Sequence, residues 1–507
     1  MKRESLLDYS MTTTFDLAVI GGGATGAGIA WDAASRGLAT LLVERDDFGH
    51  GTSSRSTKLI HGGVRYLAQG RLGLVREALH ERRWLLANAA TYVRPLTFAI
   101  PLTSIGQTLK YRGGLALYDL LAGGSLLPRA SLLTHAELVR ELPGLRGGFA
   151  RAVRYTDAQF DDTRLLLGVL SRAATHGAVV LNYTAATGFL KRTSGQIRGI
   201  QILDRETGHT HEIAARLVIN AAGPEVDAVA RLDDAAAPPQ VTLSRGSHVV
   251  VARKFWPSDT ALLMPDTPDG RVMFVIPWHG HVLLGTTDVP TSDSAIPQSS
   301  AAEIDFIVDV AARYLTAAPQ RADILSTFAG LRPLAHGGET ATAKTSREHQ
   351  ITVADSGLVS ITGGKWTTFR CMAAECVDTA LRHHGVAAAP SRTADDTIPD
   401  RLNLYPSRFT EPTASDERLP IPDVVLPIGL TCQPQAVVRA VRSEMARHVE
   451  DVLARRTRML FLDARAAITA APDVARIMAR ELGQSSAWEA AELNAFATVA
   501  ATFLPQP

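Results

Sequence analysis

Residues 15–45 read FDLAVIGGGATGAGIAWDAASRGLATLLVER. Phe15–Ile20 is a short apolar run of strand type. A glycine turn follows, then an alanine-rich helix, then a second apolar strand closed by an acid. Gly21, Gly23 and Gly26 stand in the G-x-G-x-x-G spacing. The first glycine makes the tight turn, the second lets backbone N–H groups approach a pyrophosphate, and the third lets the helix pack on the sheet. The helix N-terminus carries partial positive charge toward the phosphates. Glu44 ends the second strand about 20 residues after the turn, where a carboxylate accepts from both ribose hydroxyls of an adenosine. A lone glycine turn is common and a lone strand-end acid is usually solvated. Strand, turn, helix, strand and acid in this order specify a dinucleotide site.

The 507 residues are too many for one core, so two or three domains are expected. At 46% hydrophobic and 20% charged, the composition is that of a globular protein and excludes general disorder. A net charge of +1 gives no global attraction to nucleic acid. Cys371, Cys376 and Cys432 show neither metal-ligand spacing nor an even-numbered framework. A reducing compartment, no structural disulfide and no metal site are the expectation. Met1–Thr14 lacks the apolar stretch of a secretory signal, and no uncharged apolar run is long enough to span a bilayer.

Residues 12–390 alternate strands and helices, as expected of a cofactor domain interleaved with a substrate domain. The early strands read as parallel and buried, the later ones as antiparallel. Val272–Pro277 and residues 281–286 flank His279-Gly280 and predict a hairpin. Residues 391–433 are rich in Pro, Ala, Ser and Asp and read as a linker. Residues 434–507 repeat apolar positions at three and four, which predicts a small helical domain. The fold class is therefore α/β: a Rossmann-like domain, a mixed or antiparallel-sheet domain and an all-helical C-terminal domain.

Three further segments suit a long, enclosed cofactor. GTSSRSTKLIHGGVRYL (Gly51–Leu67) is rich in hydroxyls and glycines, with Thr52 and Ser53 as donors. RLVINAAGPEV (Arg216–Val226) ends a buried strand at Gly223. LVSITGGKWTTFRCMAAECV (Leu358–Val377) places Gly363 and Gly364 before a helix begun by Thr367 and Thr368. A helix N-terminus there favours the anionic, reduced form of a flavin ring. The ordered set VIGGGATGAGIA, TSSRSTKLIHGGVRYL, NAAGP, GSHVVV, FVIPW, GTTD, GLRPL and GGKWTTFR resembles the FAD-dependent glycerol-3-phosphate dehydrogenase family, part of the D-amino-acid oxidase-like flavoproteins. The likeness runs from about residue 15 to 380. VEDVLARRTRMLFLDAR in the tail is similar to that family's C-terminal domain.

The resemblance implies FAD as cofactor and glycerol 3-phosphate as substrate. It places Arg65, Tyr66, His248, Thr286, Arg332 and Lys365 around that substrate. His248 and Arg332 are read as the catalytic pair, with Arg65, Tyr66, Thr286 and Lys365 holding substrate. The chemistry of each fits: Arg332 offers a bidentate fork and Lys365 a point charge to a phosphate dianion. Thr286 and Tyr66 are hydroxyl donors, and His248 lies in the pKa range of a general base. Outside this context a strand histidine is more often a core residue, and Tyr66 and Thr286 would default to packing. Arg347 is a further phosphate candidate. Asp161, Asp162 and Thr163 read as a helix cap.

Family members pass electrons to a membrane quinone or, in one branch, to oxygen. QTLKYRGGLALYDLLAGGSLLPR (Gln107–Arg129) joins leucines to Lys110, Arg112 and Arg129, and reads equally as a buried helix or as one lying in a headgroup plane. The resemblance favours the second. The expectation is a peripheral protein on the inner, cytoplasmic face of the membrane, using quinone. The helical tail mediates a homodimer or supports the cofactor domain. Other readings stand beside this one: a related polyol-phosphate dehydrogenase acting on a tetritol phosphate, an oxygen-using glycerophosphate oxidase, and a flavin-binding module without turnover.

Overall fold

The computed structural model describes residues 3–63, 67, 70–123, 127–336, 348–406 and 433–506. The strand Phe15–Ile20 lies near the middle of the first sheet, parallel to Thr40–Val43 on one side and to Thr210–Asn220 on the other. Val179–Leu181 and Val359–Gly363 extend the parallel set, and His349–Val353 closes one edge antiparallel. Leu17, Ala18, Val19, Leu41 and Leu42 have no exposed surface. That burial is why these strands read as continuous apolar runs rather than alternating ones. The helices Ala24–Ser35, Asp162–Thr175 and Phe369–His383 pack together with this sheet.

The turn after the first strand is as crowded as its glycines suggest. Gly21 has φ +113°, and a Cβ there would stand 2.5 Å from the Ala221 carbonyl oxygen. A Cβ on Gly26 would stand 1.9 Å from the Gly21 carbonyl oxygen. Neither position admits a side chain without moving backbone.

The second sheet is mostly antiparallel. Val241–Ala252 pairs with His281–Gly285 and Val289–Thr291 along one edge and with Ile324–Ala335 along the other. The long pairing puts Ser244 opposite Arg332, Gly246 opposite Gly330 and His248 opposite Phe328. With a side-chain period of two, these six residues share one face. The expected hairpin is present as Met273–Trp278 and His281–Gly285. His279 (φ 46°) and Gly280 (φ 75°) form its two-residue turn, with the positive angles that match a right-handed strand twist.

The C-terminal residues form the helices Pro434–Glu444, Met459–Leu462, Ala464–Leu482 and Ser486–Ala501, with a π-helical turn Asp451–Arg456. They share a core with the second sheet, through Phe461, Phe503 and Phe328 among others. Of the 391–433 stretch, residues 391–406 run along the first domain. There the Trp31 indole donates to Asp396, and the Tyr92 hydroxyl donates to the Pro399 carbonyl. Residues 407–432, and with them Cys432, lie outside the described residues.

Ion pairs without solvent contact join the tail to the cofactor domain. Asp47 accepts from Arg455 Nε at 2.5 Å and from Arg456 Nη1 at 2.6 Å, with all three side chains buried. Arg458 reaches Asp162 at 3.1 Å and the Ser54 carbonyl at 2.8 Å. Removing one partner of such a set strands the others in low dielectric. Asp47→Ala should therefore lose about 3–5 kcal/mol in a urea titration, whereas Asp259→Ala, on an exposed pair, should change little.

His448 sits between Glu206 and Glu492, at 3.0 and 2.8 Å. Burial opposes its charge, but the two carboxylates outweigh burial and push its pKa up to about 10. A raised folded-state pKa stabilises fully below the unfolded value of about 6.5 and is lost as pH climbs toward 10. The melting-temperature gap between wild type and His448→Gln should be widest below pH 6.5 and close toward pH 10. A gap that is constant with pH would exclude this linkage.

Candidate active site

Two adjoining cavities open where the sheets meet, with Thr52, Gly364 and Lys365 lining both. The longer one runs over the carboxyl end of the parallel strands, the usual ligand crevice of such sheets. Gly21, Gly23, Glu44, Ser53, Gly223 and Gly363 line it. Gly26 lies behind the turn and serves packing. Ser53 Oγ accepts from Ala24 N at 2.9 Å, at the first turn of the glycine-turn helix, and Thr52 donates to the Leu331 carbonyl. Glu44 accepts from Gly22 N at 2.6 Å and from Asp46 N at 2.9 Å. Burial raises its pKa, while those two backbone bonds pull it back. The carboxylate thus braces the turn and keeps lone pairs for further donors.

The smaller cavity is lined by Thr57, His61, His248, Arg332, Lys365 and Thr367, among others. Sequence-distant residues meet here because of the register between Val241–Ala252 and Ile324–Ala335. Arg332 lies over Gly246, where a Cβ would stand 2.2 Å from its Nη2. The missing side chain is what lets the guanidinium lie along the strand toward His248. Arg332 also donates to Thr286 Oγ1 at 3.1 Å and to the Thr287 carbonyl at 3.2 Å, with Asp288 at 3.5 Å. Thr286 therefore stands beside the guanidinium and lines neither cavity.

His248 is buried. Its ring stacks on Phe328 with centroids 4.7 Å apart, and Nε2 lies 3.0 Å from Thr57 Oγ1. Burial, then the fields of Arg332 and Lys58, hold its pKa well below the ordinary imidazole value. The ring is neutral at pH 7, the form a proton acceptor needs.

Two expectations differ in detail. Thr367 and Thr368 do not begin the α-helix: they lie in a 3₁₀ turn, Trp366–Thr368, that precedes the helix Phe369–His383, and no side chain caps that helix. Thr367 donates to the His61 carbonyl at 3.4 Å, while Thr368 is buried against Met372 and lines neither cavity. In the expected cap at 161–163, Asp161 alone caps, accepting from Arg164 N. Asp162 instead pairs with Lys58 at 2.6 Å. Arg65, Tyr66 and Arg347 lie outside the described residues.

Thr57, Gly246 and Phe328 do not stand out in the sequence, and Lys58 stands there only as one of the polar residues of Gly51–Leu67, with His61, Arg65 and Tyr66, that can donate to a cofactor. Lys58 is fully buried, near the rings of Trp278, Phe328 and Phe461. Burial drops its pKa to about 7 against the pull of Asp162. The one signal in the sequence was a lysine set directly before an apolar pair, Leu59-Ile60, in a loop otherwise made of hydroxyls and glycines.

Comparison with known proteins agrees with this geometry. Residues 16–370 match the family described as FAD dependent oxidoreductase, and residues 431–489 match the C-terminal domain of alpha-glycerophosphate oxidase. The mitochondrial glycerol-3-phosphate dehydrogenase of Mesocricetus auratus is 38% identical over 97% of this chain and 74% of its own. That of Mus musculus is 37% identical over the same shares. Among solved structures, the glycerol-3-phosphate dehydrogenase of Bacillus halodurans, complexed with FAD, superposes with TM-score 0.78. It is 28% identical and covers 100% of this chain and 98% of that one. The L-alpha-glycerophosphate oxidase of Mycoplasma pneumoniae, at TM-score 0.58 and 18% identity, shares the fold over 78% of this chain and 98% of its own.

FAD suits the residues present. The side-chain-free turn at Gly21 and Gly23, the Glu44 carboxylate and the second backbone approach at Gly223 together form a cradle that a Cβ would fill. The purified protein should be yellow and release its flavin on acid precipitation. Gly26→Ala should fold with a reduced ratio of flavin to protein absorbance, since its new methyl displaces the Gly21 carbonyl that shapes the turn. Full flavin content in that variant would contradict this account.

Proposed function

The chain belongs to the FAD-dependent glycerol-3-phosphate dehydrogenase family, and on that premise we propose that it oxidises sn-glycerol 3-phosphate to dihydroxyacetone phosphate and delivers the electrons to a membrane quinone. The observation that carries the reading is the convergence of His248, Arg332 and Lys365 on one cavity beside the FAD cradle. FAD, when bound, supplies the acceptor for the hydrogen leaving the carbinol carbon. Lys365 and Arg332 hold the phosphate dianion, Arg332 with its fork steadied by Thr286 and the Thr287 carbonyl. The family resemblance assigns Arg65, for a phosphate oxygen or the carbinol, and Tyr66 to the same substrate. His248, neutral and rigidly stacked, takes the carbinol proton.

Peripheral attachment draws support from the helix Ile105–Ala122. Thr108, Leu115 and Tyr118 are buried against the protein, while Ile105, Leu109 and Leu120 are 71%, 70% and 75% exposed, next to exposed Lys110 and Arg112. Apolar side chains bordered by cations suit a headgroup plane. No helix among the described residues is long and apolar enough to cross a membrane.

Arg332→Ala should lose about 2–4 kcal/mol of transition-state binding, read from kcat/KM, and keep its flavin. Free glycerol should be a far poorer substrate than its phosphate. Equal use of the two, or an unchanged kcat/KM in the variant, would remove the phosphate assignment, and faster turnover of a tetritol phosphate would reassign the substrate. Reversing Lys110 and Arg112 to Glu should release the protein from anionic vesicles, since each cation near such a surface contributes about 1 kcal/mol. Turnover with soluble dyes should survive that change. Stoichiometric hydrogen peroxide from wild-type protein would replace quinone by oxygen as the acceptor.

A further inference from the structure

We propose that Thr57 is the positioning residue of His248: its hydroxyl oxygen accepts the Nε2–H, holds the imidazole in one orientation and leaves Nδ1 as the proton acceptor. This rests on the reading of His248 as the base. Among the described residues, Thr57 Oγ1 is the ring's one hydrogen-bond partner, at 3.0 Å from Nε2, and Nδ1 is buried with none. Phe328 fixes the ring plane by stacking, and Gly285, opposite His248 on the neighbouring strand, lets the ring lie flat, since a Cβ there would stand 2.6 Å from Cδ2. Stacking leaves undetermined the half-turn about Cβ–Cγ that exchanges the two faces and the positions of the ring nitrogens with ring carbons. A hydrogen bond to Nε2 removes this freedom, and Thr57 makes it.

The charges around the ring show why a neutral oxygen is needed there. Arg332 on the paired strand and Lys58 beside Thr57 both act against a charged imidazole. Asp162 and Arg458 sit behind Lys58, and their own pairing absorbs them. Glu303 is engaged with Thr287, which in turn accepts from Ser247 N. His61 and Lys365 line the same cavity. None of these makes a hydrogen bond to the ring. With the neutral ring as its Nε2–H tautomer, Nε2 donates to Thr57 Oγ1 and Nδ1 keeps the lone pair that takes the carbinol proton; once both nitrogens carry N–H groups, the bond to Thr57 is charge-assisted. Hydrogen bonds of this charge-assisted kind are the stronger ones, so Thr57 favours the charged product of proton transfer over the neutral start. Thr57 itself is held in place, because Lys58, next in the chain, has its amine locked to Asp162 and the Ser54 carbonyl.

The test compares Thr57→Val, which keeps shape and removes the hydroxyl, with Thr57→Ser, which restores it, and with His248→Asn. Thr57→Val should cut kcat on the order of 10-fold and leave KM, flavin content and melting temperature unchanged. Thr57→Ser should recover most of the loss. With ¹⁵N-labelled histidine, the ring signals that vanish in His248→Asn should shift in Thr57→Val and stay put in Thr57→Ser. An unchanged kcat in Thr57→Val, unmoved ring signals, or a Ser variant as slow as the Val variant would overturn the proposal. Full activity in His248→Asn would instead overturn the base assignment and leave the Thr57 contact without its role.

Discussion

Arg455, Arg456 and Arg458 leave the tail as one short run and enter the cofactor domain without touching solvent. Their partners are Asp47, Asp162 and the Ser54 carbonyl, all in or beside the loop that lines both cavities. That loop carries five hydroxyl residues between 52 and 57 and little apolar surface. Hydrophobic burial cannot hold such a segment. Paired ions can, and here Lys58 has a carboxylate at 2.6 Å. A polar loop suited to a polar cofactor is made rigid by charge rather than by grease, and the charge comes from the other end of the chain.

A column of rings carries the same bracing to the reacting group. His248 stacks on Phe328, Phe328 meets Phe461 at 4.8 Å, and Phe461 meets Phe503 at 5.0 Å. Arg55, Lys58 and Arg458 lie between and beside these rings, Arg458 at 4.1 Å from the Phe461 centroid. Aromatic faces stabilise buried cations that lack enough oxygen partners. Of these cations Lys58 acts, with Arg332, to keep the imidazole neutral. The C-terminal helices reach His248 through the rings packed behind Phe328.

The glycine turn and Glu44 were legible in the sequence because their contacts are local: one strand, one turn and one helix contain the whole argument. The hairpin at His279-Gly280 was legible for the same reason. Phe328 and Gly246 were not, because their roles exist only through the register of two strands some eighty residues apart in sequence, and Thr57 was not, because its partner His248 lies 191 residues away. A shift of one residue in that pairing would have turned His248 away from Arg332. The period of residues 107–122 gave a helix, but only the sheet beneath it decides that Leu115 is covered and Leu109 is not. The threonine pair at 367–368 reads as the start of the helix because nothing local separates a 3₁₀ turn from a first α-helical turn. The chain spends those residues on a tight 3₁₀ turn that carries Trp366, one of the residues lining both cavities.

The separation between Asp47 and its arginines also bears on how the protein is made. Arg455 follows Asp47 by 408 residues. A ribosome adding about 5–20 residues per second needs roughly 20–80 s to cover that distance. The parallel sheet can be completed within this interval, because its last parallel strand, Val359–Gly363, is in the growing chain before the tail. The loop beside it waits, with a buried carboxylate not yet neutralised, until the last hundred residues emerge. Capture of the cofactor in its final grip is therefore an event at the end of translation, and a nascent chain stalled before the tail would hold a finished sheet beside an unset site.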